Sequence, residues 1–140
     1  MASIVEERRA ERGGPEVPYI VRDAKGVILD LSCNVAAGSE DKKSVEMPFD
    51  GWTSAAIIQW PSGCLNMVGV RIIVDGKQMI PQNTGWIALE DATIDVAMIR
   101  RVEKNRLIEA EFKNNDIDNA HWISVLVAVS SIFPAWARVL

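Results

Sequence analysis

Residues 67–80 read MVGVRIIVDGKQMI and carry the strongest structural signal in the chain. Apolar and β-branched residues fill positions 67–74, which is typical of a buried strand. Asp75 and Gly76 then separate this run from a second, shorter one. An Asp-Gly pair in this position indicates a two-residue hairpin turn, because both turn residues need a positive φ angle. The segment therefore predicts two adjacent antiparallel strands.

Short strands are also predicted on both sides of this hairpin, and polar or Gly- and Pro-containing turns separate them. The predicted strands are residues 27–33, 45–49, 55–60, 86–89, 93–99, 106–113 and 121–129. Residues 36–43 are interpreted as a polar connection. A spacing of about 8–12 residues is typical of an all-β sandwich or barrel. We expect an all-β fold with a single, jelly-roll-like β-sandwich, as the strand number favours.

The two ends of the chain differ from the predicted sandwich. Residues 1–14 are predicted to form a short helical arm, since Ser3 and Glu6 make a capping-box pattern. Residues 15–130 form the predicted β-sandwich domain, and residues 131–140 an apolar tail. An apolar tail left in water promotes aggregation, so we expect it to dock on another subunit or partner. The predicted interface residues are Ile4, Val5, Phe133 and Trp136.

Composition limits the class of protein and its partners. With 140 residues, 49% of them hydrophobic, the chain is long enough for one well-buried core. The net charge is −4 and the basic residues are scattered, which argues against a nucleic-acid partner. Residues 120–137 carry no Lys, Arg, Asp or Glu, but they are fewer than the ~20 apolar residues of a membrane span. They are interpreted as a buried strand with an apolar tail, so no membrane partner is expected.

The residue chemistry indicates no enzyme. His121 is the single histidine, and the sequence offers it no nucleophile pattern with an orienting third group. Cys33 and Cys64 are interpreted as buried free thiols, although a bridge between them stays open. One histidine and two separated cysteines also make a poor zinc site. We therefore expect no catalytic residue, no metal and no cofactor.

Other polar and aromatic residues each allow a functional and a structural interpretation. The loop 114–119, NNDIDN, has oxygen ligands suited to calcium, but it is interpreted as an Asx-rich turn. Glu109 and Glu111 share a face with Lys113, which favours a solvated face over paired catalytic carboxylates. Tryptophan can stack on sugar rings, yet we expect most of the tryptophans to fill the core or an oligomer interface. The five tryptophans are Trp52, Trp60, Trp86, Trp122 and Trp136.

Several turn and strand motifs between residues 53 and 129 resemble a known group of proteins. The motifs are PSGC at 61–64, VGVRI at 68–72, GKQMIP at 76–81 and GWIALED at 85–91, followed by Asn115-Asp116 and His121. They are similar to small β-sandwich proteins of unknown role that are encoded among the structural genes of tailed phages. The resemblance implies a virion component, such as a capsid decoration (cement) protein or the base of a head fibre or tail appendage, without an active site.

The sequence therefore predicts a non-enzymatic structural protein that forms homo-oligomers and attaches to a larger assembly such as a capsid. Its predicted location is the virion, with the cytoplasm as the alternative. The alternative function is a carbohydrate-binding β-sandwich module.

Overall fold

The computed structural model describes residues 25–134, and all of the regular elements in that range are strands. The strands are β1 (Gly26–Asp30), β2 (Cys33–Val35), β3 (Glu40–Glu46), β4 (Gly51–Trp60), β5 (Val68–Val74), β6 (Lys77–Ile80), β7 (Ala92–Val102), β8 (Leu107–Asn114) and β9 (His121–Ser130).

The strands form two antiparallel sheets. The five-stranded sheet has the order β1-β9-β4-β7, and β2 pairs with β9 beyond the end of β1. The four-stranded sheet has the order β3-β8-β5-β6. Apolar residues of both sheets form one buried cluster between them. The predicted all-β sandwich is confirmed.

The core follows from the two-residue periodicity of the strands. In β9, alternate residues from Ile123 to Val129 are buried, and in β8 the buried apolar residues are Ile108, Ala110 and Phe112. Trp60 is fully buried, and its indole Nε1 donates a hydrogen bond to the carbonyl oxygen of Val68 at 2.9 Å. Since Trp60 ends β4 and Val68 begins β5, this bond joins the two sheets.

The predicted hairpin is confirmed. Asp75 has a φ of 49° and Gly76 a φ of 81°, as a two-residue turn of this type requires. The side chain of Asp75 also accepts a hydrogen bond from Arg106 Nε at 2.7 Å. This contact fixes the turn to the loop before β8.

The prediction of one strand over 27–33 is wrong. The strand divides at Leu31-Ser32 into β1 and β2, which both pair with β9. The hydroxyl of Ser32 accepts the backbone N–H of Val125 at 3.0 Å, and Asp30 Oδ1 accepts the N–H of Ser32 at 2.9 Å. The N–H of Leu31 still donates to the carbonyl oxygen of Val125 at 2.8 Å, but the side-chain bonds of Ser32 and Asp30 interrupt the regular ladder, a competition that Ser and Asp are known for.

The predicted connection 36–43 and the predicted strand 45–49 are also wrong in their bounds. β3 covers Glu40–Glu46, so Met47 and Phe49 lie beyond its end. Six of the seven residues of β3 are polar, including Asp41 and Lys43 on the inward side, which hid the strand in the sequence pattern. The predicted strand 86–89 is reduced to a single bridge between Ile87 and Val70.

Candidate functional site

The single histidine is part of a buried polar cluster at one end of the sandwich. His121 begins β9, and its Nε2 lies 2.8 Å from Asp116 Oδ2; the two side chains are 10% and 8% exposed. Asp116 Oδ1 accepts the backbone N–H groups of Asp118 and Asn119 at 3.0 and 3.2 Å. The hydrogen bond with His121, together with these N–H groups, lowers the pKa of Asp116 from 3.8 to about 2.

The loop that the sequence offered as a calcium site uses its oxygens internally. Asp116 Oδ2 also accepts Asn119 Nδ2 at 3.3 Å, so both carboxylate oxygens of Asp116 have donors from the chain itself. Asn114 Nδ2 donates to the carbonyl oxygens of Val35, Ala36 and Asn119. The Asx-turn interpretation is confirmed. Between residues 25 and 134, no three His, Cys, Asp or Glu side chains come close enough together to hold a metal ion.

A second carboxylate closes the neighbouring loop. Glu90 accepts the backbone N–H groups of Gly63 and Leu65 at 3.0 and 2.7 Å, and these bonds lower the pKa of Glu90. Gly63 and Leu65 both have positive φ angles, a conformation in which successive N–H groups converge on an anion. The carboxylate of Glu90 thus holds the 63–65 loop in place from within the same chain.

The two cysteines are free and buried, as predicted. Burial raises the pKa of the Cys33 thiol to about 11, and a hydrogen bond of 3.3 Å to Asp41 contributes to this rise. Burial also raises the pKa of Cys64. Since thiolates are the reactive form, neither thiol is suited to act as a nucleophile at neutral pH.

The outer face of the four-stranded sheet is charged. Lys42 Nζ lies 3.2 Å from Glu109 Oε2, and Arg71 Nε lies 2.7 Å from Glu111 Oε1. Lys113 lies opposite Glu40 in the pairing of β8 with β3. The predicted solvated face, with its alternating charges along β8, is confirmed.

The centre of the outer face of the five-stranded sheet is largely apolar, and we call this region the apolar face. One row across four strands is entirely uncharged, and the next has two apolar residues at its centre. The first row is Ile28, Ala128, Ala55 and Ala97, and the second is Asp30, Leu126, Ile57 and Asp95. Ile28 is 61% exposed and Ile57 is 40% exposed. Trp122, 56% exposed, lies near one end of β9 on the same face.

A groove of about 510 Å³, here the Trp86 groove, lies on the charged face. Glu40, Asp41 and Lys42 of β3 line it on one side, and Arg71, Trp86, Glu111 and Phe112 complete it. The guanidinium carbon of Arg71 lies 4.1 Å from the centroid of the Trp86 ring, within the range of a cation–π contact.

The tryptophans are divided between core and surface. Trp60 is fully buried and Trp122 is exposed, while Trp52 and Trp86 are half-buried. The core part of the prediction therefore holds for Trp60. The oligomer-interface part stays a prediction for the others.

Of the predicted interface residues, Phe133 is described. Its ring is half-buried and meets Trp52 of its own chain edge-on, with ring centroids 4.8 Å apart. Pro134, which follows, is buried. Ile4, Val5 and Trp136 lie outside the described residues, as do the predicted arm 1–14 and most of the tail. The intersubunit contact of Phe133 stays a prediction.

Sequence reasoning missed the apolar face, although a signal for it was present. The strands β4 and β9 read GWTSAAIIQW and HWISVLVAVS, and neither contains Lys, Arg, Asp or Glu. A strand with one solvated face normally alternates apolar and polar residues. The lack of charged residues in two neighbouring strands therefore indicates an uncharged outer surface at the centre of this sheet.

The fold is similar to that of several solved structures. A chain of the capsid asymmetric unit of cyanophage Pam1 matches 89% of this chain and 96% of its own length, with a TM-score of 0.50 and 9% sequence identity. VP2 in the subviral particle of infectious bursal disease virus matches 79% of this chain and 33% of its own length, with a TM-score of 0.48 and 11% identity. The CBM36-1 domain of a xylanase from the hindgut metagenome of Trinervitermes trinervoides matches 76% and 95%, with a TM-score of 0.43 and 15% identity.

The fold is a jelly-roll-like β-sandwich. At these identities the likeness is one of fold. No protein-family model matches the chain, and no curated protein matches it in sequence. In the described residues, no helix is long and apolar enough to cross a membrane.

Proposed function

We propose that this protein is a non-enzymatic structural subunit that assembles through its apolar face and forms part of a virion. The roles proposed are a capsid decoration protein or the base of a head fibre. The observation that carries the proposal is the contrast between the two outer faces of the sandwich: one is laced with ion pairs, and the other presents an uncharged row across four strands.

The apolar face has the composition of a protein interface. Contiguous exposed apolar surface on a small domain marks an interaction site, and the core of an interface is depleted in charged residues. Covering the exposed parts of Ile28 and Ile57 would contribute about 1–2 kcal/mol each. The alanines between them allow a partner sheet to approach closely. Asp30 and Asp95 at the two ends of the second row would orient that partner.

The virion location is supported by the fold and by the sequence motifs. The Pam1 capsid chain and this chain match over most of both lengths, so the likeness covers a whole small subunit. The motifs between residues 53 and 129 resemble proteins from tailed-phage structural genes. A non-enzymatic role is supported by the state of the reactive groups: His121 is held by Asp116, and both thiols are buried.

Light scattering on the full chain at micromolar concentration tests the assembly. We expect a discrete oligomer, and we expect Ile57→Lys to dissociate it without changing the circular dichroism spectrum. The lysine would lie opposite Asp95, so the fold of the subunit can accept it. The matched control is Leu107→Lys on the charged face, where a residue with 42% exposure lies opposite Glu46. A monomeric wild-type chain, or equal dissociation by both variants, would contradict the proposal.

A second measurement tests the location. Particles from the source of the protein would be banded on a density gradient, and the chain would be quantified by mass spectrometry against the main shell protein. We expect a fixed ratio that survives rebanding. Complete loss of the chain on rebanding, or its absence from the particles, would leave only the assembly part of the proposal standing.

A further inference from the structure

The Trp86 groove lies on the opposite side of the sandwich from the apolar face, and the proposed assembly does not use it. The indole ring of Trp86 is held in place by the strand β5, against which it packs. An added Cβ on Gly69 would lie 3.0 Å from Trp86 Cβ and 3.3 Å from two ring atoms, so the ring rests directly on the bare backbone of β5. The next residue, Ile87, exchanges two backbone hydrogen bonds of 2.8 and 3.0 Å with Val70. These contacts fix the ring before any ligand arrives.

Residues 81–85, which precede Trp86, are also held in place by hydrogen bonds. Gln78 Nε2 donates to the carbonyl oxygens of Pro81, Asn83 and Gly85. Asn83 Oδ1 in turn accepts the backbone N–H of Gly85 at 2.7 Å. A rigid, preorganised aromatic group reduces the entropy lost on binding, which favours a ligand site over a random surface depression.

Arg71 brings unused hydrogen-bond donors to the groove. Its Nε is bonded to Glu111 Oε1 at 2.7 Å, and within residues 25–134 its terminal nitrogens have no hydrogen-bond partner. A guanidinium has five N–H donors, so four remain for a ligand. The salt bridge with Glu111 and the contact with the indole hold these donors in one orientation.

Acceptors line the same groove. The carboxylates of Glu40 and Glu111 border it together with the ammonium group of Lys42 and the guanidinium of Arg71, whereas the carboxylate of Asp41 is bonded to the Cys33 thiol on the inward side of β3. Two negative and two positive groups balance, so the groove has no net charge to attract phosphate, sulfate or carboxylate ligands. A ligand for this site needs hydroxyl groups that both donate and accept, together with an apolar surface for the indole.

We propose that the Trp86 groove binds a neutral glycan chain. The part of the indole that Gly69 and Arg71 leave uncovered contacts the C–H surface of a sugar ring, Arg71 donates to its hydroxyl or ring oxygens, and Glu111 and Glu40 accept from its hydroxyls. The groove volume of about 510 Å³ is within the usual range for small-ligand sites, about 300–1,000 Å³. A binding site on the charged face stays open to solvent when the apolar face is covered.

Titration calorimetry with a panel of neutral oligosaccharides tests the proposal: cellohexaose, xylohexaose, mannohexaose and N-acetylated chitohexaose. We expect at least one to bind with a millimolar or lower Kd. Trp86→Ala and Arg71→Ala should each weaken that binding about tenfold or more, which is the loss of one major contact. Trp122→Ala is the matched control, because Trp122 is the most exposed of the described tryptophans and lies on the apolar face; its Kd should stay within about twofold.

Several results would overturn the inference. They are no binding by the whole panel, loss of binding in Trp122→Ala with none in Trp86→Ala, or, when heparin and polygalacturonate are titrated alongside, binding confined to these anionic chains. Should Trp86→Ala misfold, Trp86→Phe and Glu111→Gln keep the test decisive: the first should retain part of the affinity and the second should lose most of it. Light scattering of the Trp86 variants should match that of the wild type, which separates this site from the proposed assembly.

Discussion

Replacing Asn114 with alanine should destabilise the domain more than any other single polar change in the 114–121 loop. Asn114 is 2% exposed, and its side-chain amide lies within hydrogen-bond distance of four backbone groups, with the two hydrogens of Nδ2 shared among three carbonyl oxygens. Nδ2 donates to the carbonyl oxygens of Val35, Ala36 and Asn119 at 3.1, 3.2 and 3.0 Å, and Oδ1 accepts the N–H of Asp116 at 2.9 Å. One side chain thus joins the end of β2, the end of β8 and the loop before β9.

The size of the effect follows from these bonds. Each net hydrogen bond is worth about 1 kcal/mol, and a buried group left without a partner costs about 1–3 kcal/mol. Since relaxation and water can satisfy some of the four groups, we expect a loss of about 3–5 kcal/mol from a total of about 5–15 kcal/mol. With a urea m value of about 2 kcal/mol/M, a loss of 3 kcal/mol lowers the unfolding midpoint by about 1.5 M.

The assay is urea unfolding followed by tryptophan fluorescence and circular dichroism at one fixed protein concentration, because assembly would otherwise shift the midpoint. Asn115→Ala is the matched control: it removes the same side chain from the exposed neighbouring position and should change stability by less than about 0.5 kcal/mol. A loss below about 1 kcal/mol for Asn114→Ala, or equal losses for both variants, would refute the reasoning.

Three further outcomes are expected. Gly51→Ala should prevent stable folding, since its added Cβ would fall onto the backbone carbonyl of Ser130 in β9; normal thermal unfolding of this variant would show that the register there is wrong. The pKa of Asp116 is about 2 in the folded state against 3.8 ordinarily, so its contribution to stability is complete above about pH 4 and is lost as the pH falls toward 2. Asp116→Asn should therefore be less stable at pH 7 and should show a shallower loss of stability between pH 4 and 2 in acid titrations; an unchanged slope would count against the cluster. Cys33 and Cys64 should react with a thiol reagent at pH 7.5 only after unfolding, because both are buried and their pKa values are raised; rapid labelling of the folded chain would contradict this.

Local signals in the sequence predicted local structure well. The Asp75-Gly76 turn and the strands around it depend on residues that are neighbours in the chain, and they form as predicted. The division at Leu31-Ser32 was missed because it depends on a hydrogen bond between Ser32 and Val125, which are far apart in sequence. Most of the strand β3 was missed because it is an edge strand whose inward residues Asp41 and Lys43 are polar like its outward ones, so it pairs by backbone without an apolar pattern.

The apolar face and the Trp86 groove could not be predicted without knowing the order of the strands in the sheets. The apolar face exists because β1, β9, β4 and β7 lie side by side, an order that periodicity alone does not give. The Trp86 groove likewise depends on the absence of a side chain at Gly69 beneath the ring. The sequence identified the tryptophans as candidates for sugar binding or interfaces, but the partner of each ring is set by the fold.

The position of β9 has a consequence for how the protein is made. Of the described strands, β9 is the last to be synthesised, yet it lies between β1 and β4, and within residues 25–134 β1 and β2 have no other strand to pair with. While β9 is still inside the ribosome, the five-stranded sheet lacks the strand that joins β1 to β4. One edge of β4, a strand rich in apolar residues, is then unpaired. The sheet can therefore close only after translation has passed Ser130, and pairing between strands so distant in sequence is slow. During that interval the nascent chain exposes strand edges that can pair with those of other copies, so its yield in the cell should depend on chaperones and on the rate of synthesis.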